Sequence, residues 1–241
     1  MSETGQGEVR EERTSGGAWA LPGALFPLGD AIRVERSVRA RRPDVRAERP
    51  AFREPELAHW RPLLEASPTL GTLVDAIHDE ARARTASAAA AAHAALATTT
   101  VLAGVLVVAI ALPAIGQMFD VSPWLLVAVA YALLGQVAAM RATRIGRPLR
   151  VGLDALAEPI ERAQKAHGEQ SRGVLLVEAR ARRAVAAEHD AALAECIEAF
   201  VAAATGSVRN ALVALAVWLL LNAVPQSLAA VWRGLGSGVG G

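Results

Sequence analysis

The side chains best suited to chemistry lie in two short clusters, "DAIHDE" at 75–80 and "EHDAALAEC" at 188–196. Asp75 and His78 stand at i, i+3, so a helix would present both on one face, the spacing of half a helical di-metal site. A complete site needs a second such pair and further carboxylates on facing helices. The second cluster offers Glu188, His189, Glu195 and Cys196, but His189 and Cys196 lie two turns apart. Only Asp75 and His78 could supply more ligands. Solvated helix surface accounts for both clusters, so the sequence is read as having no metal site, no cofactor and no catalytic residues.

No Gly-rich phosphate loop, HExxH, GxSxG or paired CxxC is present. No candidate nucleophile has an obvious base beside it. Cys196 is the only cysteine, which excludes an intramolecular disulfide and a Cys-based metal site. The expectation is a protein that is not an enzyme. A cleft bringing together His78, His189 and Glu188 would reverse it.

A second set of polar side chains sits where polar groups are scarce. Thr98, Thr99, Thr100, Gln136, Asn222 and Gln226 interrupt three long uncharged stretches. They are suited either to hydrogen bonds between helices or to lining a pore. Arg141, Arg144, Arg147 and Arg150 follow one of these stretches at once and are placed to meet lipid headgroups.

The elements that carry these residues follow from the apolar pattern. Residues 94–140 contain one charge, Asp120. One crossing of a bilayer needs only about 20 apolar residues, so this stretch is too long for a single span. Pro113, Gly116, Asp120, Ser122 and Pro123 break it, predicting spans near 94–115 and 123–140, with Phe119 and Trp124 near an interface. Residues 210–232 are uncharged between Arg209 and Arg233 and predict a third span over 208–232. A shorter span to Val224 with a surface segment after it is the alternative. None of the three carries the ionisable group expected of a proton-coupled carrier.

Outside these spans the pattern is amphipathic. Ser67 and Pro68 mark a helix start, and Leu70, Leu73, Ile77 and Ala81 trace an apolar face. Nothing after them forces a stop before the first span. Gly146 and Pro148 interrupt the chain after the second span, and Leu149, Leu153, Leu156, Ile160 and Ala163 trace a further stripe with a kink at Pro159. A turn at 167–173 leads into a third stem from about Val174, buried along Leu193, Ile197, Phe200 and Ala204.

The fold class expected is therefore all-α: a polytopic membrane protein with three transmembrane helices extended by cytoplasmic amphipathic helices. Its parts are a disordered Arg-rich tail (1–55), a helical stem (56–93), a transmembrane hairpin (94–140), a cytoplasmic helical hairpin (141–207), a third span (208–232) and a Gly-rich tail (233–241). Small residues such as Ala128 with Ala132 and Gly135 with Ala139 permit close helix approach, either within one chain or between copies.

All basic residues but Lys165 are Arg, and the net charge is only +1, so bulk charge gives no reason to expect nucleic acid. Eight Arg between 33 and 53, with the run after the second span, put the N-terminus and stems on the cytoplasmic side of an inner (plasma) membrane. The C-terminus then lies outside. The Arg-rich tail is read as solvated, with anionic headgroups as its alternative partner. Prolines and glycines in "RTSGGAWALPGALFPLG" (13–29) argue against a signal peptide. The prolines prevent a continuous amphipathic helix, so this segment is read as flexible with a few apolar side chains, and a docking motif anchored by Trp19, Leu21, Leu25 and Phe26 is the alternative. Two roles suit this layout: a non-catalytic membrane subunit, scaffold or anchor that gathers partners or copies of itself, and an oligomeric channel gated by its cytoplasmic bundle.

Overall fold

The structure is a computed structural model that describes residues 26–46, 51–111, 123–149, 151, 159–161, 165 and 171–237; for 222–237 it describes the backbone. Every regular element among the described residues is a helix, and none is a strand. In chain order they are α1 (Pro27–Arg41), a 3-10 turn (Pro43–Arg46), α2 (Glu54–Ala66), α3 (Pro68–Ala111), α4 (Pro123–Arg144) and α5 (Ser171–Ser237). Three of them, α3, α4 and α5, are long and apolar enough to cross a membrane.

α3 starts where the sequence says it must. Ser67 has an extended backbone, φ −139° and ψ 103°, and Pro68 takes the first helical position, where its missing N–H costs nothing. The helix then runs 44 residues without interruption from the amphipathic stretch into the uncharged one. α5 runs 67 residues, about 100 Å at 1.5 Å per residue. Its backbone continues through Pro225, so the third apolar stretch is one continuous helix. Ser171–Gly173 form its first turn, three residues before the predicted start, and Arg233–Ser237 extend it into the predicted tail.

These helices share one seam. In α3 the buried positions are Val74, His78, Ala81, Thr85, Ala88, Ala92, Thr99 and Leu106. Leu125, Ala128, Ala132, Gly135, Ala139 and Ala142 serve in α4. In α5, where several further residues are buried on the stem's other faces, one line of buried positions runs through Ala186, Asp190, Leu193, Ile197 and Phe200, then Ala204, Ser207, Ala211, Ala214 and Trp218. The steps alternate three and four, apart from two whole steps of seven from Ala92 to Thr99 and Leu106 in α3, and match the heptad repeat of knobs-into-holes packing. The repeat crosses from stem to span in α5 without a phase change, so one bundle serves both regions. The predicted stripe of α3 is corrected here: Leu70 is partly buried, but Leu73 and Ile77 are 54% and 47% exposed. The seam lies one residue over, at Val74 and His78.

Two further corrections concern the first 93 residues. The tail predicted to be disordered to residue 55 holds α1 and the 3-10 turn, which pack on α5 through Ala31, Val38 and Val45. Ala31, Glu35 and Val38 are the buried face at i, i+4, i+7. Glu35 at its centre, paired with Arg39 at 3.2 Å, hides that periodicity in the sequence. The predicted stem 56–93 is also two helices, because Ser67 breaks it.

The hairpin loop (116–122), Trp19, Leu21, Leu25, Leu153, Leu156, Ala163, residues 167–170 and 238–241 lie outside the described residues. Pro159–Glu161 are helical, and the predicted kink falls on neighbours outside that range.

Candidate functional site

The polar residues singled out in the sequence do not assemble into one catalytic or metal centre. Asp75 bonds Arg183 at 2.7 Å and faces Arg180 at 3.5 Å, rather than sharing a ligand with His78. Glu188 pairs with Arg42, and Glu195 accepts two bonds from Arg41 at 3.0 and 3.1 Å. Successive helical residues turn by about 100°, so Glu188 reaches Arg42 while His189 is fully buried. Cys196 is buried in the core. Among the described residues no group of three His, Cys, Asp or Glu side chains could hold a metal ion.

What the stem does contain is a buried polar node that sequence spacing missed. Asp190 is 1% exposed. Its Oδ1 accepts the backbone N–H of Leu149 at 3.0 Å and lies 3.3 Å from His189 Nδ1. Its backbone carbonyl accepts the Thr85 hydroxyl at 2.9 Å, and that hydroxyl also reaches the Ala81 carbonyl at 2.8 Å. The node thus joins α3, α5 and the segment after α4. His78 is buried close by. Burial pushes its pKa down, and the negative charges of Asp190 and Asp79 oppose that shift while Arg183 and Arg82 reinforce it. Among the described residues His189 Nε2 and His78 Nδ1 have no hydrogen-bond partner. The signal available was Asp190 at a seam position, where an aspartate has to be paired.

Nearer the apolar region the junction is made of small groups. A Cβ at Gly135 would stand 3.2 Å from Ser207 Cβ, 3.3 Å from the Ala204 carbonyl oxygen and 3.3 Å from Thr99 Cγ2. Thr99 is fully buried, and its hydroxyl bonds the Ala95 and Leu96 carbonyls of its own helix at 2.9 and 3.0 Å. Thr98 bonds Ala94 O at 3.0 Å and lines a groove of about 360 Å³ with Thr205 and Val208, while Thr100 is exposed. Thr99 lines the same groove as Thr98. Gln136 is half-buried, and the side chains of Asn222 and Gln226 lie outside the described residues. Ala128, Ala132, Gly135 and Ala139 are all buried within the single chain. At the end of α4, Arg141, Arg144 and Arg147 are exposed, with the Arg141 guanidinium 5.8 Å from the centre of the Phe200 ring; Arg150 lies outside the described residues.

Two grooves open along the remaining face of the stem. One, of about 490 Å³, is walled by Arg41, Arg42, Arg84, Glu188 and Glu195. Arg84 donates to Glu198 at 2.7 and 2.6 Å, which raises the arginine pKa and lowers that of the carboxyl. The other, of about 280 Å³, is apolar, formed by Trp60 of α2, Val74 and Ile77 of α3, and Ala184, Ala187 and Ala191 of α5. Comparison with family models, curated proteins and solved structures gives no match for this chain.

Proposed function

We propose that this chain is a non-catalytic integral membrane subunit, a scaffold or anchor whose stems hold partners or further copies of itself at the cytoplasmic face of an inner membrane. The observation that carries this reading is the unbroken heptad seam from the water-facing stem into the apolar spans. Packing of that kind makes a rigid post rather than two hinged parts. The spans contribute no Asp, Glu, Lys, Arg or His between Leu96 and Phe119, Pro123 and Met140, or Asn210 and Trp232, which favours holding position over moving protons. The stem pairs Asp75, Arg84, Glu178 and Glu195 with its own opposite charges and leaves an apolar groove open, the disposition of a platform.

The pore reading has less behind it, since the Thr98 and Thr99 hydroxyls, although on one groove, bond carbonyls of their own helix. In the proposed topology the N-terminus and stems are cytoplasmic and the C-terminus is outside, following the Arg at 141, 144 and 147. Anionic headgroups are the proposed contacts of those arginines.

Purification in mild detergent followed by mass measurement of the intact particle tests the proposal. A stoichiometric partner or a defined homo-oligomer is the expected result. A chain that stays soluble and monodisperse after lysis without detergent overturns it.

A further inference from the structure

We infer that the N-terminal end of α1 is a lipid contact, with Phe26 seated in the cytoplasmic headgroup layer beside the three spans. The inference rests on the membrane reading above and adds to it a fourth point of attachment.

The height of the layer is set by charge. Arg141, the first charge after the second span, lies over Phe200 of α5. Arg209 is the last charge in α5 before the uncharged stretch that ends at Arg233. The boundary on this side therefore falls between the levels of Phe200 and Arg209, since Arg snorkels toward headgroups.

α1 is aimed at that band. Its C-terminal Arg41 pairs with Glu195, whereas at its other end Pro27 packs against Gly206, where an added Cβ would be 3.3 Å from the proline Cβ. The helix thus lies antiparallel to α5, with its N-terminus toward the span. Gly206 is six residues beyond Phe200, a rise of about 9 Å toward the apolar side. Phe26 precedes Pro27 at this height and is 68% exposed. An aromatic ring left bare there fits the water–hydrocarbon interface better than bulk water.

The sequence before it agrees. From Thr14 to Gly29 there is no charge, and Trp19, Leu21 and Leu25 lie in that run. The charges resume at Asp30 and Arg33, which pair at 3.2 Å on the water side.

The test uses the full chain reconstituted in phosphatidylcholine–phosphatidylglycerol vesicles. In a background with Trp19, Trp60, Trp124, Trp218 and Trp232 changed to Phe, Phe26→Trp should be strongly quenched by lipids brominated near the carbonyl end of the acyl chain. Phe26→Asp in the otherwise native chain gives a second readout that does not depend on that background. Residue 26 is the N-cap of α1, where Asp in water would strengthen the helix and slow tryptic cleavage after Arg33. Seated in lipid, the carboxylate must instead be expelled, and cleavage in vesicles should accelerate several-fold. An unquenched Phe26→Trp, or Phe26→Asp cleaved no faster than the native chain, overturns the inference. Alkaline carbonate separates the two levels: a chain that resists extraction yet fails these tests loses only this contact, whereas an extracted chain loses the membrane reading itself.

Discussion

Asp190 shows how one buried residue, through its carboxylate and its backbone carbonyl, can hold three chain segments together. It accepts the Leu149 N–H from the segment after α4, while its own carbonyl takes the Thr85 hydroxyl from α3. Asp190→Leu fits the volume of the seam but strands the Leu149 donor, a loss of about 1–3 kcal/mol. Asp190→Asn keeps an acceptor for that N–H and should lose less. Thermal unfolding of the detergent-solubilised pair checks the order. His78 supplies the pH dependence. Its folded pKa is below the 6.5 of a free imidazole, so the unfolded chain binds the extra proton first. Stability should therefore be full above pH 6.5, fall as the pH drops below it, and level off once the folded pKa is passed. His78→Leu should flatten that part of the profile. Glu198 acts at lower pH: its carboxyl is depressed by Arg84, so its contribution is lost only below 4.5. That pair is half exposed, and Arg84→Ala should change stability by less than about 1 kcal/mol.

At the scale of elements, Gly146 is the position with least freedom. It ends α4 with φ +112°, and an added Cβ would collide with the Val45 carbonyl oxygen of the 3-10 turn. Gly146→Ala combines the left-handed strain of about 1–2 kcal/mol with that collision, so the loss should exceed the strain alone, read as a lowered unfolding midpoint. Its role as a helix stop was plain in the sequence, as were Ser67–Pro68 as a start and the uncharged runs of α3, α4 and α5. These features act locally, through backbone geometry and solvation, and need no tertiary knowledge. The phase of α3 was not plain. Its seam holds Val74, His78, Ala81, Thr85 and Ala88, and only neighbouring helices decide that these are buried while Leu73 and Ile77 are not. α1 was hidden for a similar reason: Arg41 and Arg42 read as a solvated charge run until Glu195, Glu56 and Glu188, far away in sequence, are seen to pair with them. The polar node escaped because its hydrogen bonds link residues 85, 149 and 190.

For the whole molecule, the distribution of exposed apolar area separates two kinds of surface. Val101, Val105, Leu126, Leu212 and Leu220 are between 50% and 66% exposed, and in the spans a bilayer would cover them. Leu73 and Ile77 belong to the other kind, because they lie on the stem beside the groove of Trp60 and Val74, where no lipid reaches in the proposed topology. Two large aliphatic side chains beside an apolar groove are where a partner helix or a second copy would gain most, at about 25 cal/mol per Å² buried. Leu73→Glu with Ile77→Glu removes that gain without touching the seam, since both side chains already face outward. The unfolding temperature of the chain should stay nearly constant, because exposed substitutions away from packed features change stability by about 0.5 kcal/mol or less. The mass of the intact particle in mild detergent should fall to that of one chain. A double variant that keeps the native particle mass would move the association surface off the stem and into the spans, where exposed Val101 and Leu220 would be the next residues to change.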